Sequence, residues 1–406
     1  MRKSLNVLLL VVLFVICSAQ LTWAQKPNVY ELGTYPQGTW LATWGINDLG
    51  VVVGLGDVPP IDPDSGVGHT HPLAVPLFGP NAGQWMDLGT LGGEQPMGWE
   101  EPVIKISNSG LIVSHSTAPD GYAHGVAWTK ESGLVDLGTL ADTGSPAYAD
   151  YKSSWAFATN RLGTLIAGGS APYGGIDITV GFLVPVVWTS SNVWMNGKSV
   201  TKWQIHTLDT ADFSDLRWDI WGVNDYGQIV GLGFNNSNES IIPIGVLWNP
   251  RPGGKVWGGL TLLPPPPSDY PSTCPYDINN RGEIVGIVAS ADWSTQLPAL
   301  WKPLDKTRTT YSQPIVLPLP AGFTSCECVG VNDLGDIVGD CWNDTQDLPA
   351  RWITEDPTFS EIIKFPGSRG FSWGVNNGRI ASVTYGDSKK CPADTYGSCG
   401  GATQLH

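Results

Sequence analysis

Basic residues are scarce in this chain: 22 Lys and Arg stand against 37 Asp and Glu, a net charge of −15 over 406 residues. A surface of that sign repels a phosphate backbone, which sets nucleic acid aside as a partner. Long apolar runs are missing as well. Beyond the N-terminus, Gly, Pro or charged residues interrupt every apolar stretch, and none reaches the ~20 residues that a membrane-spanning helix needs. The sequence holds no complete Gly-x-x-x-x-Gly-Lys-Ser/Thr loop and no His-Glu-x-x-His pair, and its Gly-x-Ser-x-Gly letters, Gly370 to Gly374, fall in the strand phrase of the seventh repeat and not at a strand-to-helix elbow, so the short signatures of serine hydrolases, phosphate-binding loops and zinc proteases give no catalytic residue. No cofactor is expected. Cysteine is absent between Cys17 and Cys274, which confines any disulfide framework to the last third of the chain.

The N-terminus has a different character. Arg2 and Lys3 precede an apolar run from Val7 to Cys17 and a small-residue exit at Ala24. This is the layout of a secretory signal peptide, expected over residues 1–24, and eleven apolar residues are too few to span a bilayer. Residues 25–406 then form one exported domain, extracellular or periplasmic and monomeric. Six Cys remain in it, an even number consistent with disulfides. Cys391 and Cys399 flank a Gly-rich loop; Cys328 and Cys341 stand on two arms of one hairpin; Cys274 is left for Cys326. The spacing Cys326-Glu327-Cys328 is tighter than a zinc knuckle, which argues against the metal alternative.

What the chain has in abundance is turn formers and aromatics, with 50 Gly, 32 Pro and 19 Trp. They are ordered by a repeat. The phrase is an apolar residue, a marker Asn, two turn residues, Gly and a β-branched run: INDLGVVVG from Ile46, VNDYGQIVG from Val223, INNRGEIVG from Ile278, VNDLGDIVG from Val331. Looser copies begin at Ile106, Thr159 and Val375. The seven markers Asn47, Ser107, Asn160, Asn224, Asn279, Asn332 and Asn376 are 60, 53, 64, 55, 53 and 44 residues apart. Each phrase reads as a β-hairpin, because Asn bonds its own turn and Gly accepts positive φ. Three residues before the marker stand Trp44, Ile104, Phe157, Trp221, Tyr276, Val329 and Trp373, which period-two alternation places on the face of the apolar residue just before the marker. The other face carries Gly45, Ala158, Gly222, Gly330 and Gly374, small enough for a neighbouring sheet to come close.

A third strand follows in most units, ending in Trp as at Val126-Ala127-Trp128 and Val246-Leu247-Trp248, and then a fourth such as Asp87 to Leu91 or Asp136 to Leu140. Four short strands per unit at periods near 50 residues are the anatomy of propeller blades. A fourth-strand phrase at Tyr30–Thr34 has no unit of its own, while the seventh unit lacks one. The expected fold is therefore all-β, a seven-bladed β-propeller of four-stranded blades, its ring closed by an N-terminal strand completing the last blade; an open solenoid or a pair of sandwiches is the alternative. The blades fall near 40–91, 100–140, 153–208, 218–263, 273–318, 326–366 and 370–406 plus 29–35. The units resemble the HAF repeat of extracellular bacterial proteins, through Asp87 to Gly93, Asp136 to Leu140 and the strands around His71 and His124. That resemblance implies export and a β-rich repeat fold, and supplies no catalytic residues.

Site candidates are few. Trp40, Trp85, Trp99, Trp194, Trp257 and Trp293 fall off the repeat in connecting segments, where aromatics can stack on a sugar or anchor a partner. His69 and His71 share a strand face near Asp62 and Asp64, a donor set that suits a metal, although His71 and His124 hold one repeat position, which suits a structural role better. Asp62 to Gly66 has the alternating acids of a calcium loop without its distal acid. The expected function is a non-catalytic binding module for an extracellular protein or glycan. A glycosidase or lyase with carboxylates gathered from several blades, and a structural envelope component, are the alternatives.

Overall fold

The computed structural model describes residues 28–60, 68–93, 103–172, 183–195, 198–210, 216–235, 242–250, 257–266, 269–386 and 399–405. They form seven antiparallel sheets of four strands each, a seven-bladed β-propeller. Its innermost strands are Leu41–Ile46, Lys105–Ile106, Ser153–Thr159, Leu216–Val223, Ser272–Ile278, Ser325–Val331 and Arg369–Val375, in blades 1 to 7. Two short 3-10 turns, Leu140–Thr143 and Pro146–Tyr148, are the helical elements among the described residues.

The marker Asn is what joins the hairpins into a ring. Its Oδ1 accepts N–H groups of its own turn, as from Leu49 and Val51 at Asn47. Its Nδ2 donates to the marker carbonyl of the next blade: Asn47 to Ser107, Asn224 to Asn279, Asn279 to Asn332, Asn332 to Asn376, and Asn376 back to Asn47, at 2.8–3.1 Å. The amide carries its acceptor and its donor on two separate atoms, one for its own turn and one for the next blade; the single Ser107 oxygen accepts from Leu111 N–H and bonds Ser109 Oγ within its own turn, which is why it breaks the series. Asn160 breaks it too, since its turn is one residue longer and Nδ2 bonds Thr164 instead. There the backbone compensates, with Asn108 N–H donating to the Arg161 carbonyl and Leu162 N–H to Asp225.

An outer series latches the same joints. Third-strand Trp188, Trp248, Trp301 and Trp352 are fully buried, and each donates its indole N–H to a carbonyl at the end of the preceding blade: Leu137, Asp209, Pro264 and Pro318, at 2.8–3.2 Å. Blade 1 lacks that Trp, and Trp85 supplies the latch from another position, donating to the Leu32 carbonyl at 3.1 Å. Leu32 belongs to strand Val29–Gly33, which pairs antiparallel with Cys399–Gln404 as the outer strand of blade 7. At the inner side of the same joint, Thr43 N–H donates to Thr384 Oγ1 at 2.8 Å.

Glycines govern how closely the inner strands approach. A Cβ on Gly374 would lie 2.9 Å from the Gly45 Cα, and one on Gly222 would lie 2.9 Å from the Asp277 Cα. The residue preceding this close approach behaves differently from the simple alternation. Six of the seven sheets carry an irregularity there, between Thr43 and Gly45 in blade 1 and at equivalent positions in blades 3 to 7. A bulge interrupts period two, so the aromatic and the apolar residue before the marker do not simply share a face. The aromatics meet across blade boundaries instead: Trp44 with Trp373 at 4.2 Å, and Trp221 with both Phe157 (6.3 Å) and Tyr276 (5.4 Å) between ring centroids.

The disulfide expected between Cys328 and Cys341 is corrected by the same geometry. Cys326 bonds Cys341, with Cα atoms 4.0 Å apart, and Cys274 and Cys328 are free and buried. Positive φ at Gly335 sets Val331 opposite Ile337, and the irregularity between Cys328 and Gly330 cancels that offset, so Cys326 faces Cys341 while Cys328 faces Gly339. Cys274 lies opposite Ile287 in blade 5 and is not joined to Cys326. Cys399 is disulfide-bonded, and Cys391 lies outside the described residues.

Candidate functional site

The sequence-nominated residues do not converge. Trp40 and Trp85 are buried, Trp85 as the latch just described. Trp99, Asp62 and Asp64 lie outside the described residues. Trp194 and Trp257 stand in strands Val184–Met195 and Trp257–Leu262, their side chains outside the described set. Trp293 is 37% exposed at a turn with φ 59°. His69 is exposed, whereas His71 is hydrogen-bonded through Nδ1 to Asp87 at 2.8 Å. The equivalent pair in blade 2, His124 and Asp136, is also 2.8 Å apart. Each Asp further accepts the N–H of the Gly two residues on, which explains the Asp-Leu-Gly phrase and its His partner as one fourth-strand clasp. Burial alone would lower the His124 pKa, but Asp136, Asp120 and Asp142 raise it above the usual value. Among the described residues no group of three or more His, Cys, Asp or Glu is placed to hold a metal.

Three groups of residues that the sequence reading did not single out carry the concentrated chemistry. The first is the channel end where the hairpin turns lie. The residue after each marker forms a second ring: the N–H of Asp48, Asp225, Asn280, Asp333 and Asn377 each donates to the side chain of the next blade's equivalent, at 2.7–2.9 Å. Arg161 of blade 3 contacts Asp48 of blade 1 and Asp333 of blade 6, both at 3.4 Å, so its guanidinium lies across the mouth. Below it is a cavity of about 90 Å³, lined by Lys105, Asp277, Arg161, Trp221 and Trp373 among others. Lys105 and Asp277 stand two residues before their markers, where the other five blades have Gly or Ala. That departure from a small-residue column was the available sequence signal. Burial lowers the Lys105 pKa against the pull of Asp277, and burial raises that of Asp277 against Lys105 and two backbone N–H donors.

Around this polar hub the turns present apolar side chains. Two residues after the marker stand Leu49 (67% exposed), Leu162 (59%), Tyr226 (59%) and Leu334 (48%). Phe78 and Leu304, also exposed, stand in third-to-fourth-strand connections, which emerge at the same end of an antiparallel four-stranded blade. Arg308 lies over the Tyr226 ring at 4.0 Å.

A third group is the carboxyl cluster of blade 6. Burial pushes Glu327 up to about 7, and Asp340, buried and bonded to it, well above the carboxylate range; Asp347 is raised as well. Hydrogen bonding holds Glu327 and Asp340 together, closer than the ~5 Å or more that separates glycosidase carboxyls. The group is a proton-sharing cluster within one sheet and not an assembly across blades.

No family model and no curated protein matches this chain. Solved structures do match in fold. One is a prolyl endopeptidase, at a TM-score of 0.50 and 12% identity over 88% of this chain and 47% of that one. Another is puromycin hydrolase, at 0.45 and 12% over 86% and 50%. A third is the fucose-recognising lectin of Aleuria aurantia, described as a six-bladed β-propeller, at 0.34 and 12% over 74% and 93%. The chain spans about half the length of the first two. At these identities the likeness is one of fold.

Proposed function

We propose that this chain is a secreted, non-catalytic binding module, a divergent HAF-repeat protein, whose working surface is the end of the ring bearing the hairpin turns and whose partner is an extracellular protein. One observation carries the reading: four large apolar side chains occupy one repeat position on blades 1, 3, 4 and 6, all exposed, around a polar hub. Exposed apolar groups gathered on one face with polar groups between them mark protein interfaces, and Tyr226 is held in place there beneath the Arg308 guanidinium. The hub hydrogen bonds make that surface rigid, which lowers the entropy lost on docking. The leader-like N-terminus and the disulfide agree with export. The paired His and Asp clasps agree with the HAF resemblance.

The test is capture from secreted material with the wild-type chain and with Leu49→Asp/Tyr226→Asp. A partner retained by the wild type should be lost by the variant, with affinity down by roughly 100-fold for two central apolar contacts. Equal retention by both, or none by either, removes the reading. A glycan array on the same two proteins decides the carbohydrate alternative, for which Trp293 is the exposed aromatic.

A further inference from the structure

The channel cavity presents a problem of charge that the fold does not solve by itself. Five blades have Gly or Ala two residues before the marker, and two blades put ionisable side chains there, Lys105 and Asp277. Asp277 accepts backbone N–H bonds from Ile278 and Val331, both at 2.9 Å, which fixes its carboxylate while leaving acceptor capacity free. Lys105 feels Asp277 only through space: among the described residues no hydrogen bond or ion-pair contact joins them. A structural ion pair would bring the two into contact, since separation of two half-buried groups forfeits the attraction that offsets desolvation. Trp221, one of the lining residues, has a buried indole Nε1 with no hydrogen-bond partner among the described residues. Arg161, which also acts on Asp277 electrostatically, is occupied by Asp48 and Asp333. The volume, about 90 Å³, is several times the ~10–15 Å³ that one water requires.

We propose that the channel cavity is a binding site for a small zwitterion of amino-acid size, its carboxylate on Lys105 and its ammonium on Asp277. A free anion gains Lys105 and is opposed by Asp277; a free cation meets the reverse. A molecule carrying both charges satisfies both groups and relieves the cost of burying each alone. Trp221 and Trp373 line the same cavity and supply its apolar side. The site opens at the centre of the hub, inside the ring of apolar turn residues, and uses none of those apolar side chains.

The full-length protein is titrated with glycine, acetate and methylammonium, read by calorimetry and by the shift in unfolding midpoint. Glycine should bind saturably and raise the midpoint, with acetate and methylammonium at least about tenfold weaker. Lys105→Met and Asp277→Asn, each checked for native near-ultraviolet dichroism, should lose the glycine response while keeping capture of the turn-face partner. No saturable glycine response in the wild type, an equal response to acetate or methylammonium, or a wild-type response in folded Lys105→Met overturns the proposal. Should the variants not fold, the wild-type selectivity among the three probes decides it alone.

Discussion

At the scale of single residues, His115 shows how burial without a partner becomes a pH response. It lies in strand Ile112–Thr117 at 1% exposure, opposite Gly125, and both ring nitrogens lack hydrogen-bond partners among the described residues. Desolvation lowers its pKa from 6.5 to about 4, so the folded protein holds the neutral imidazole while the unfolded chain takes up a proton near pH 6.5. A depressed folded-state value means that its contribution is complete above pH 6.5 and is lost as pH falls toward 4. At 1.36 kcal/mol per pKa unit, the loss is about 3 kcal/mol. Chemical denaturation of wild type and His115→Leu at pH 7 and pH 4.5 should therefore show the stability difference between them moving in favour of the Leu variant on acidification. A parallel pH dependence in both proteins would mean that the imidazole finds a proton acceptor in the folded state. Comparing variants isolates this residue from Glu327, Asp340 and Asp347, whose raised values act in the opposite direction.

At the scale of elements, the hairpin of blade 6 explains both the disulfide and its mistaken assignment. Counting from the turn without the two irregularities leaves the choice between Cys326 and Cys328 undetermined, and the paired register resolves it. Peptide mapping without reduction should recover Cys326 linked to Cys341. Cys274 and Cys328, whose thiols burial pushes up and keeps protonated, should alkylate only after unfolding. Closing a loop of this length contributes about 3 kcal/mol in the chain-entropy account, so Cys341→Ser should lose about that much by denaturant titration. Rapid labelling of Cys328 in the native protein would contradict the register.

At the scale of the whole molecule, stability rests on joints that repeat around the ring, and the joint between blades 7 and 1 depends on the N-terminal strand. Removing residues 28–34 takes away the Leu32 acceptor of Trp85, part of the apolar packing of Tyr30 and Leu32, and the strand that covers Cys399–Gln404. The expected cost is on the order of 5 kcal/mol from lost burial and hydrogen bonding, with an open edge prone to association. Calorimetry together with light scattering should show a lower midpoint and oligomers; an unchanged, monomeric transition would place the closing interactions elsewhere. The repeat phrase by itself determined the hairpins, their number and hence the blades, because turn chemistry and strand alternation are local properties that a linear sequence displays. It also marked Trp44, Trp221 and Trp373 as packing between blades. Only the closed ring decided that Asn amides link neighbouring hairpins, that Trp85 is a latch and not a free aromatic, which cysteine faces Cys341, and that Lys105 and Asp277, far apart in sequence, share one cavity. Those relations depend on register offsets of one residue and on circular closure, and neither leaves a periodic trace along the chain.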